Sequence, residues 1–270
     1  MVSHEHDLRV VAVSSHPATA LTDAELTRYA RHIVLREFGG AGQVRLKAAS
    51  VAVIGAGGIG SPAIQYLAAA GIGRLILIDD DHVDTSNLQR QTIFTTDDIG
   101  QDKAAAAAAA ARRINPFVTV DTHTTRIDAG NASLMFAGAD VVLDGSDNFT
   151  TRLAVADAAL TARIPLVSAA VGQFEGQLAT YRGWEADSPC YRCFVGDASD
   201  QAGASCAEDG VLGPVTGILG SLAALETLRA VSPFGEDSAG KLLLVDLLGL
   251  RFRTIRLPKD PGCPACGALA

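Results

Sequence analysis

The feature that most constrains the fold is a glycine-rich turn, residues 55–60, between an apolar strand and a helix. The β-branched run Ser50–Ile54 enters the turn, and residues 62–70 follow with helical character until Gly71. A second apolar strand, Arg74–Ile78, closes this strand, turn, helix and strand unit within about 30 residues. Two strands joined by a helix run parallel, so the sequence predicts an α/β fold.

The alternation of strands and helices continues and then changes character. Eight consecutive alanines, residues 104–111, predict a helix that can lie close against a sheet. Beyond Gly172 the predicted strands have short connections, which is typical of antiparallel pairing. We therefore expect a Rossmann-like parallel half that continues into an antiparallel C-terminal half of one sheet. Besides the two strands already named, the predicted strands are residues 118–120, 141–143, 166–169, 177–181, 241–246 and 250–257, with a long helix at 212–231.

The length of 270 residues and a hydrophobic fraction of 48% allow one substantial core. Residues 1–20 are predicted to be a disordered tail, and residues 21–270 a single domain. Its nucleotide-binding half spans about residues 48–172, and the other half spans residues 173–270. Helical spacing over residues 21–47, with Thr22 and Glu25 as a capping box, predicts an amphipathic helix before the first strand.

Charge and composition exclude several classes of partner. The net charge of −8 and the absence of a basic stripe argue against nucleic acid, which is bound through clustered Lys and Arg. No segment approaches the roughly 18 uncharged apolar residues of a membrane-spanning helix. Glu5 and Asp7 lie where a secretory leader needs positive charge. We expect a cytoplasmic protein.

The glycine turn has the composition of a nucleotide-binding site. Gly55, Gly57 and Gly60 match the dinucleotide fingerprint, with Gly58 between them, and Asp79 lies about 20 residues further on. In such a site the backbone approaches phosphate at a helix N-terminus, and the acidic residue accepts hydrogen bonds from ribose. An ordinary tight turn is the alternative.

Three further residues favour ATP over NAD at this turn. A triphosphate requires cations and a carboxylate for magnesium, and Arg90, Lys103 and Asp147 supply those groups. Taken singly, a surface Arg or Lys is usually a solvated charge, and an Asp after a strand is often a helix cap. Their order along the chain is what favours a triphosphate.

Taken together, an ordered set of motifs resembles the MoeB/ThiF/HesA family of ubiquitin-activating-type adenylyltransferases, over about residues 21–266. The resemblance implies a homodimer with one ATP site per subunit. It also implies adenylation of the C-terminal Gly-Gly carboxylate of a small ubiquitin-like sulfur-carrier protein. The motifs are residues 28–31, the turn at 55–60, Asp79 with Asp81, residues 86–91, Lys103 and residues 146–148.

The family resemblance also implies roles for individual side chains. Asp79 would bind the ribose; Asn87, Arg90 and Lys103 would bind the phosphates; Asp147 would bind Mg²⁺. Asp81 and Gln91 belong to the same nucleotide-binding motifs. Arg31 resembles an arginine that reaches the triphosphate from the partner subunit, which makes an isolated monomer inactive.

Four of the five cysteines form two CxxC pairs, Cys190 with Cys193 and Cys263 with Cys266. Four thiolates in such pairs are typical of a tetrahedral zinc site, although the pairs are about 70 residues apart, further than in a compact zinc ribbon. A redox motif and two disulfides are the alternatives. The family agrees with zinc, since many members carry a non-catalytic zinc. Cys206 is unpaired and is either a reactive thiol or a spare one.

Two other functions fit part of the sequence. An NAD-dependent oxidoreductase would use the glycine turn and Asp79 but would leave Arg90, Lys103 and Asp147 unexplained. A non-catalytic adaptor would bind a carrier without activating it, and a tRNA-modifying relative is disfavoured by the acidic charge. Because the chain ends soon after Cys266, we expect sulfur to come from a separate donor, a sulfurtransferase or desulfurase. The carrier's pathway, molybdenum cofactor, thiamine or another, stays open.

Overall fold

A computed structural model describes residues 20–196 and 210–269. The predicted tail lies outside these residues except for Ala20, and Cys206 lies outside them as well.

The described residues form one eight-stranded mixed sheet with the strand order β3-β2-β1-β4-β5-β6-β7-β8. Neighbouring strands from β3 to β5 pair in parallel, and those from β5 to β8 pair antiparallel. The predicted change from a parallel to an antiparallel half is confirmed. The strands are β1 Ser50–Ile54, β2 Arg74–Ile78, β3 Thr119–His123, β4 Val141–Asp144, β5 Leu166–Gly172, β6 Glu175–Tyr181, β7 Lys241–Asp246 and β8 Arg251–Arg256.

Helices connect the parallel strands and cover the sheet. None of the helices in the described ranges is long and apolar enough to cross a membrane. The α-helices are α1 Asp23–Arg28, α2 Ala30–Ile33, α3 Gly39–Ala48, α4 Gly60–Ala70, α5 Lys103–Ile114, α6 Ala132–Met135, α7 Phe149–Ala162, α8 Tyr191–Val195 and α9 Gly213–Val231, with short 3-10 turns at Thr85–Asn87, Thr96–Asp98 and Gly267–Leu269.

Two apolar clusters bury the two faces of the sheet. In β1, Val51 and Val53 point into one cluster with helices α4, α5 and α9, whereas Ala52 and Ile54 point into the other with α6 and α7. Side chains alternate across a strand, so a strand buried on both faces is apolar throughout. This explains the continuous apolar runs of β1 and β2.

The predicted amphipathic helix over residues 21–47 is divided into three helices, α1 to α3. The predicted capping box is present: Thr22 Oγ1 accepts from the amide of Glu25, and a Glu25 carboxylate oxygen accepts from the amide of Thr22. The chain leaves helical geometry at Tyr29, with φ of −98° and ψ of 13°, and α2 ends at Ile33, before α3 begins at Gly39 with a left-handed φ of 65°. The prediction of a single helix is therefore wrong, whereas its start is right.

Candidate active site and cysteine cluster

The candidate site lies where the order of the parallel strands reverses. From β1 the chain moves outward through β2 to β3 and then returns to β4 on the opposite side of β1. Ligands of open α/β sheets bind in the crevice at the carboxyl ends of the strands at such a switch point. Here the glycine turn after β1 lies against the loop after β4. A Cβ added to Gly55 would be 3.3 Å from the carbonyl oxygen of Gly145.

Close packing accounts for several of the glycines in the turn. Gly55 has a left-handed φ of 85°, and a Cβ on Gly60 would lie 1.9 Å from the Gly55 carbonyl oxygen. A Cβ on Gly58 would clash with Thr216 of α9 at 2.8 Å. At Gly57 the nearest atom is Gln91 Nε2, at 3.8 Å, which is ordinary contact. The backbone at Gly57 is thus the open part of the turn, just before the N-terminus of α4.

The Asp79 carboxylate is hydrogen-bonded to the glycine turn. Its two oxygens accept from the amide of Ala56 at 2.7 Å and from the amide of Asp81 at 2.9 Å. Burial raises the pKa of Asp79 above its ordinary value, and the two amide donors and the charge of Lys103 oppose that rise. Each carboxylate oxygen has a second lone pair, so Asp79 can still accept hydrogen bonds from a ribose.

Lys103 and Asp81 form an ion pair beside Asp79. Lys103 Nζ lies 2.6 Å from Asp81 Oδ2, and the lysine side chain is 7% exposed whereas the aspartate is 68% exposed. Burial acts to raise the pKa of Asp81, but the hydrogen bond and charge of Lys103 outweigh it, and the pKa falls. An ammonium group has three donors. This pairing uses one of them and holds the cation at the start of α5.

The segment after β2 contributes three polar side chains. Asn87 Oδ1 accepts from the amide of Asp84 at 3.1 Å, and Arg90 Nη1 donates to the carbonyl oxygen of Ser86 at 3.0 Å. Gln91 is 3% exposed, and its Oε1 has no partner among the described residues. Buried polar atoms are almost always hydrogen-bonded, so this amide beside Gly57 is suited to a ligand with a donor.

Asp147 lies in the loop between β4 and α7 with its side chain exposed. The neighbouring Asn148, not Asp147, caps α7, because Asn148 Oδ1 accepts from the amide of Thr151 at 2.8 Å. The alternative interpretation of Asp147 as a helix cap is thereby removed. An exposed carboxylate beside the glycine turn is a suitable ligand for a hard cation such as Mg²⁺.

Arg31 stands apart from these groups. It is exposed on the short helix α2, and no hydrogen bond or ion pair of the described residues involves its guanidinium. The helix itself is fixed, because the preceding Tyr29 is buried and its hydroxyl accepts from Asn115 Nδ2 at 2.8 Å. The structure therefore brings the glycine turn, Asp79, Asp81, Lys103 and Gln91 together, and it leaves Arg31 free to contact another molecule.

The four paired cysteines converge on one point. Their Sγ atoms lie within 4.8 Å of one another, with separations of 3.9 Å for Cys190 and Cys193, 3.6 Å for Cys190 and Cys263, and 3.4 Å for Cys193 and Cys266. A tetrahedral Zn²⁺ with Zn–S bonds of about 2.3 Å requires Sγ separations of about 3.8 Å. Burial raises the pKa of the Cys266 thiol to about 11, so metal binding would release protons. The cluster has the donors and the spacing for zinc.

Sequence reasoning missed a buried polar network behind the loop of Asp147. Asp144, Arg152 and Tyr191 are 1%, 8% and 4% exposed, and Arg152 donates to the carbonyl oxygen of Ser146. Asp144 was visible as a carboxylate at the end of a predicted strand. The partners of Arg152 are made by tertiary contacts and left no signal in the sequence.

The chain is similar to known proteins over most of its length. The family model described as "ThiF family" matches residues 29–265. The chain is 44% identical over 249 residues to the SAMP-activating enzyme E1 of Haloferax volcanii, covering 92% of this chain and 91% of that protein. It is 40% identical to the molybdopterin-synthase adenylyltransferase of Salmonella typhimurium, covering 92% and 98%. It is 47% identical to the bovine (Bos taurus) adenylyltransferase and sulfurtransferase MOCS3, covering 93% of this chain but 55% of that protein.

The fold is also found among solved structures. A crystal structure of E. coli MccB with MccA-N7isoASN matches with a TM-score of 0.78 and 24% identity, covering 89% of this chain and 75% of that chain. A structure of PaaA matches with a TM-score of 0.76 and 24% identity, covering 93% and 79%. At this identity the match concerns the fold alone.

Proposed function

The chain belongs to the ThiF family, and on that premise we propose that it is an ATP-dependent adenylyltransferase. Its substrate is a small ubiquitin-like sulfur-carrier protein whose C-terminal Gly-Gly carboxylate becomes an acyl-adenylate, with release of pyrophosphate. One observation supports the proposal: the glycine turn is hydrogen-bonded to Asp79 and packs against the loop that carries the exposed Asp147, and the buried Lys103 pairs with Asp81 beside Asp79. Relatives of nearly the same length are named SAMP-activating enzyme E1, sulfur carrier protein adenylyltransferase and molybdopterin-synthase adenylyltransferase.

The reaction needs placement and charge more than proton transfer. The carrier carboxylate is the nucleophile and attacks the α-phosphorus of ATP, and the bond from that phosphorus to the bridging oxygen of pyrophosphate breaks. Because the nucleophile is already ionised at neutral pH, no general base is required. The protein must hold the two substrates in line and neutralise the charge that develops on the phosphates.

We assign a binding role to each polar side chain of the crevice. Asp79 accepts hydrogen bonds from the ribose, while Asn87, Arg90 and Lys103 bind the phosphates. Asp147 holds Mg²⁺, which supplies positive charge to the phosphate oxygens when it is bound. Asp81, which orients Lys103, and Gln91, beside the glycine turn, complete the set of side chains around the nucleotide.

The residues of the crevice favour ATP over a nicotinamide cofactor. A dinucleotide would use the turn and Asp79. It would give no role to the buried Lys103 or to the exposed Asp147 in the loop after β4. A non-catalytic adaptor would have no need for either residue. An adenylating enzyme uses both.

We further propose that the enzyme is a homodimer in which Arg31 reaches the ATP site of the partner. Arg31 is exposed, and the next residues on this face include Val34 and Leu35, which are 73% and 51% exposed. Exposed apolar side chains beside a charged residue are typical of a protein interface.

The half of the chain after residue 172 is proposed to bind the carrier and zinc. In its β7–β8 hairpin Leu248, Leu250 and Phe252 are 77%, 79% and 52% exposed, and they offer apolar contact area.

The reduced, clustered thiols suit a cytoplasmic protein. The relatives that match over nine-tenths of their length are named for activation or adenylation alone. Sulfur would therefore come from a separate donor protein, and the carrier would serve molybdenum cofactor, thiamine or another sulfur-containing product.

Replacing Cys263 by serine is expected to remove zinc and to lower the free energy of unfolding by roughly 3 kcal/mol, because the metal joins two distant segments. Metal analysis should find about one zinc per wild-type chain and none in Cys263→Ser. Cys206→Ser is the matched control and should keep its zinc. Full zinc content in Cys263→Ser would contradict the four-thiolate site.

Purified enzyme is expected to catalyse exchange of labelled pyrophosphate into ATP only when a carrier ending in Gly-Gly is present. The exchange reports reversal of adenylate formation, which needs the carrier carboxylate. Candidate sulfur carriers from the same genome are compared, and the most active one identifies the pathway. The control is the same carrier without its last two residues. Equal exchange with the shortened carrier would overturn the proposed substrate.

A further inference from the structure

Arg152 is a buried cation in the middle of the parallel half. It lies in the first turn of α7 and is 8% exposed. Its Nη2 donates to the carbonyl oxygen of Ser146 and, at 3.1 Å, to that of Ala169 in β5. One guanidinium thus joins the loop after β4 to the neighbouring strand.

A buried carboxylate is hydrogen-bonded to the same loop. Asp144, the last residue of β4, is 1% exposed, and its Oδ1 accepts from the amide of Ser146 at 3.0 Å. Ser146 is therefore held at its amide by an anion and at its carbonyl by a cation. Hydrogen bonds to charged groups in a buried setting are stronger than ordinary ones, so this loop is held in one conformation.

Tyr191 connects the network to the cysteine cluster. Its buried side chain lies close enough to Arg152 and Asp144 for their charges to act on the pKa of its hydroxyl, which burial raises. Its ring packs edge-on against Tyr181 at a centroid distance of 5.5 Å. The residue before it in the chain is Cys190, whose sulfur belongs to the cluster.

We infer that Arg152 is a positioning residue for the magnesium ligand Asp147, and that Tyr191 fixes Arg152 relative to the cysteine cluster. The inference rests on the proposed function, because it assigns Asp147 to the metal of an ATP complex. Arg152 touches neither nucleotide nor metal in this account. It acts through Ser146, whose backbone determines where the next residue, Asp147, points.

The alternative is that Arg152 stabilises the fold without regard to the loop. The two roles differ in what a conservative replacement does. Lysine keeps the charge, but both carbonyl bonds of Arg152 come from Nη2 at the end of a rigid planar guanidinium, and the flexible lysine stem does not hold its nitrogen at that position. A positioning role then predicts loss of the loop's geometry with the rest of the fold intact, whereas a purely structural role predicts a general loss of stability.

The test compares Arg152→Lys with wild type by calorimetry of a non-hydrolysable ATP analogue, with and without Mg²⁺. The expected result is a loss of about tenfold in the enhancement of affinity by Mg²⁺, with the affinity in the absence of Mg²⁺ nearly unchanged. Arg113→Lys, a replacement of the same kind in the exposed last turn of α5, is the matched control and should behave as wild type.

A second measurement reports the mobility of the loop in the absence of nucleotide and Mg²⁺. Amide hydrogen exchange in the peptide containing residues 144–149 should be faster in Arg152→Lys, while exchange in β1 stays as in wild type. Tyr191→Phe, which loses only the hydroxyl, should show a smaller change of the same kind with full zinc content.

The possible outcomes separate the inference from the proposed function. If wild-type protein does not bind the ATP analogue, the proposed function fails. If Mg²⁺ raises the affinity of wild type for the analogue and raises that of Arg152→Lys by the same factor, only the positioning role fails. Equal losses with and without Mg²⁺, together with faster exchange throughout the sheet, would also overturn it in favour of a structural role. An unchanged Tyr191→Phe would remove the connection to the cluster.

Discussion

Asp147→Ala is expected to lower pyrophosphate exchange by about 10³-fold, because the phosphates lose the metal charge that stabilises the transition state. The fold should be unaffected. The Asp147 side chain is exposed, and the cap of α7 is made by Asn148, so stability should change by only about 0.5 kcal/mol. Zinc content should also stay at the wild-type value, because the cysteine cluster does not use Asp147.

Asp97→Ala is the matched control for this replacement, since Asp97 is an exposed aspartate outside the crevice. It should retain wild-type exchange. Exchange that persists in Asp147→Ala at saturating Mg²⁺ would remove Asp147 from the metal site.

Mixing two inactive variants is expected to restore activity if Arg31 acts across the dimer. Arg31→Ala and Asp147→Ala are each inactive as homodimers. In the mixed dimer one site has an intact Asp147 and receives an intact Arg31 from the partner, and the other site has neither. Random reassortment of equal amounts should therefore give about a quarter of wild-type activity.

The mixture is made by incubating the two variants until their subunits exchange, and pyrophosphate exchange is measured before and after. Each variant incubated alone is the control and should stay inactive. If Arg31 acts within its own subunit, each mixed dimer contains two defective sites, and the mixture stays as inactive as its components. The same result is expected if the protein is a monomer.

The parallel half of the fold could be predicted because its signals are local. The strand Ser50–Ile54, the glycine turn and the strand Arg74–Ile78 each show their character within a few residues, and the structure has both strands with the predicted bounds. The cysteine cluster was predictable for another reason. Two CxxC pairs are a usual ligand set of tetrahedral zinc, so their chemistry indicated a meeting of segments about 70 residues apart.

What the sequence did not reveal depends on tertiary contacts. The pairing of Lys103 with Asp81 and the bond from Arg152 to Ser146 depend on how helices pack against loops. The division of the N-terminal helix depends on backbone angles at Tyr29 and Gly39. Apolar spacing over residues 21–47 favoured a continuous helix, although Gly39, Gly40 and Gly42 weaken that pattern.

The central claim is that this crevice joins AMP to the tail of a carrier protein. Intact-mass measurement of a Gly-Gly carrier, incubated with the enzyme, ATP and Mg²⁺ and quenched in acid, tests it most directly. We expect a carrier heavier by one AMP, and no such species with the carrier shortened by two residues. An unmodified carrier, together with enzyme that binds and reduces a nicotinamide cofactor, would contradict it.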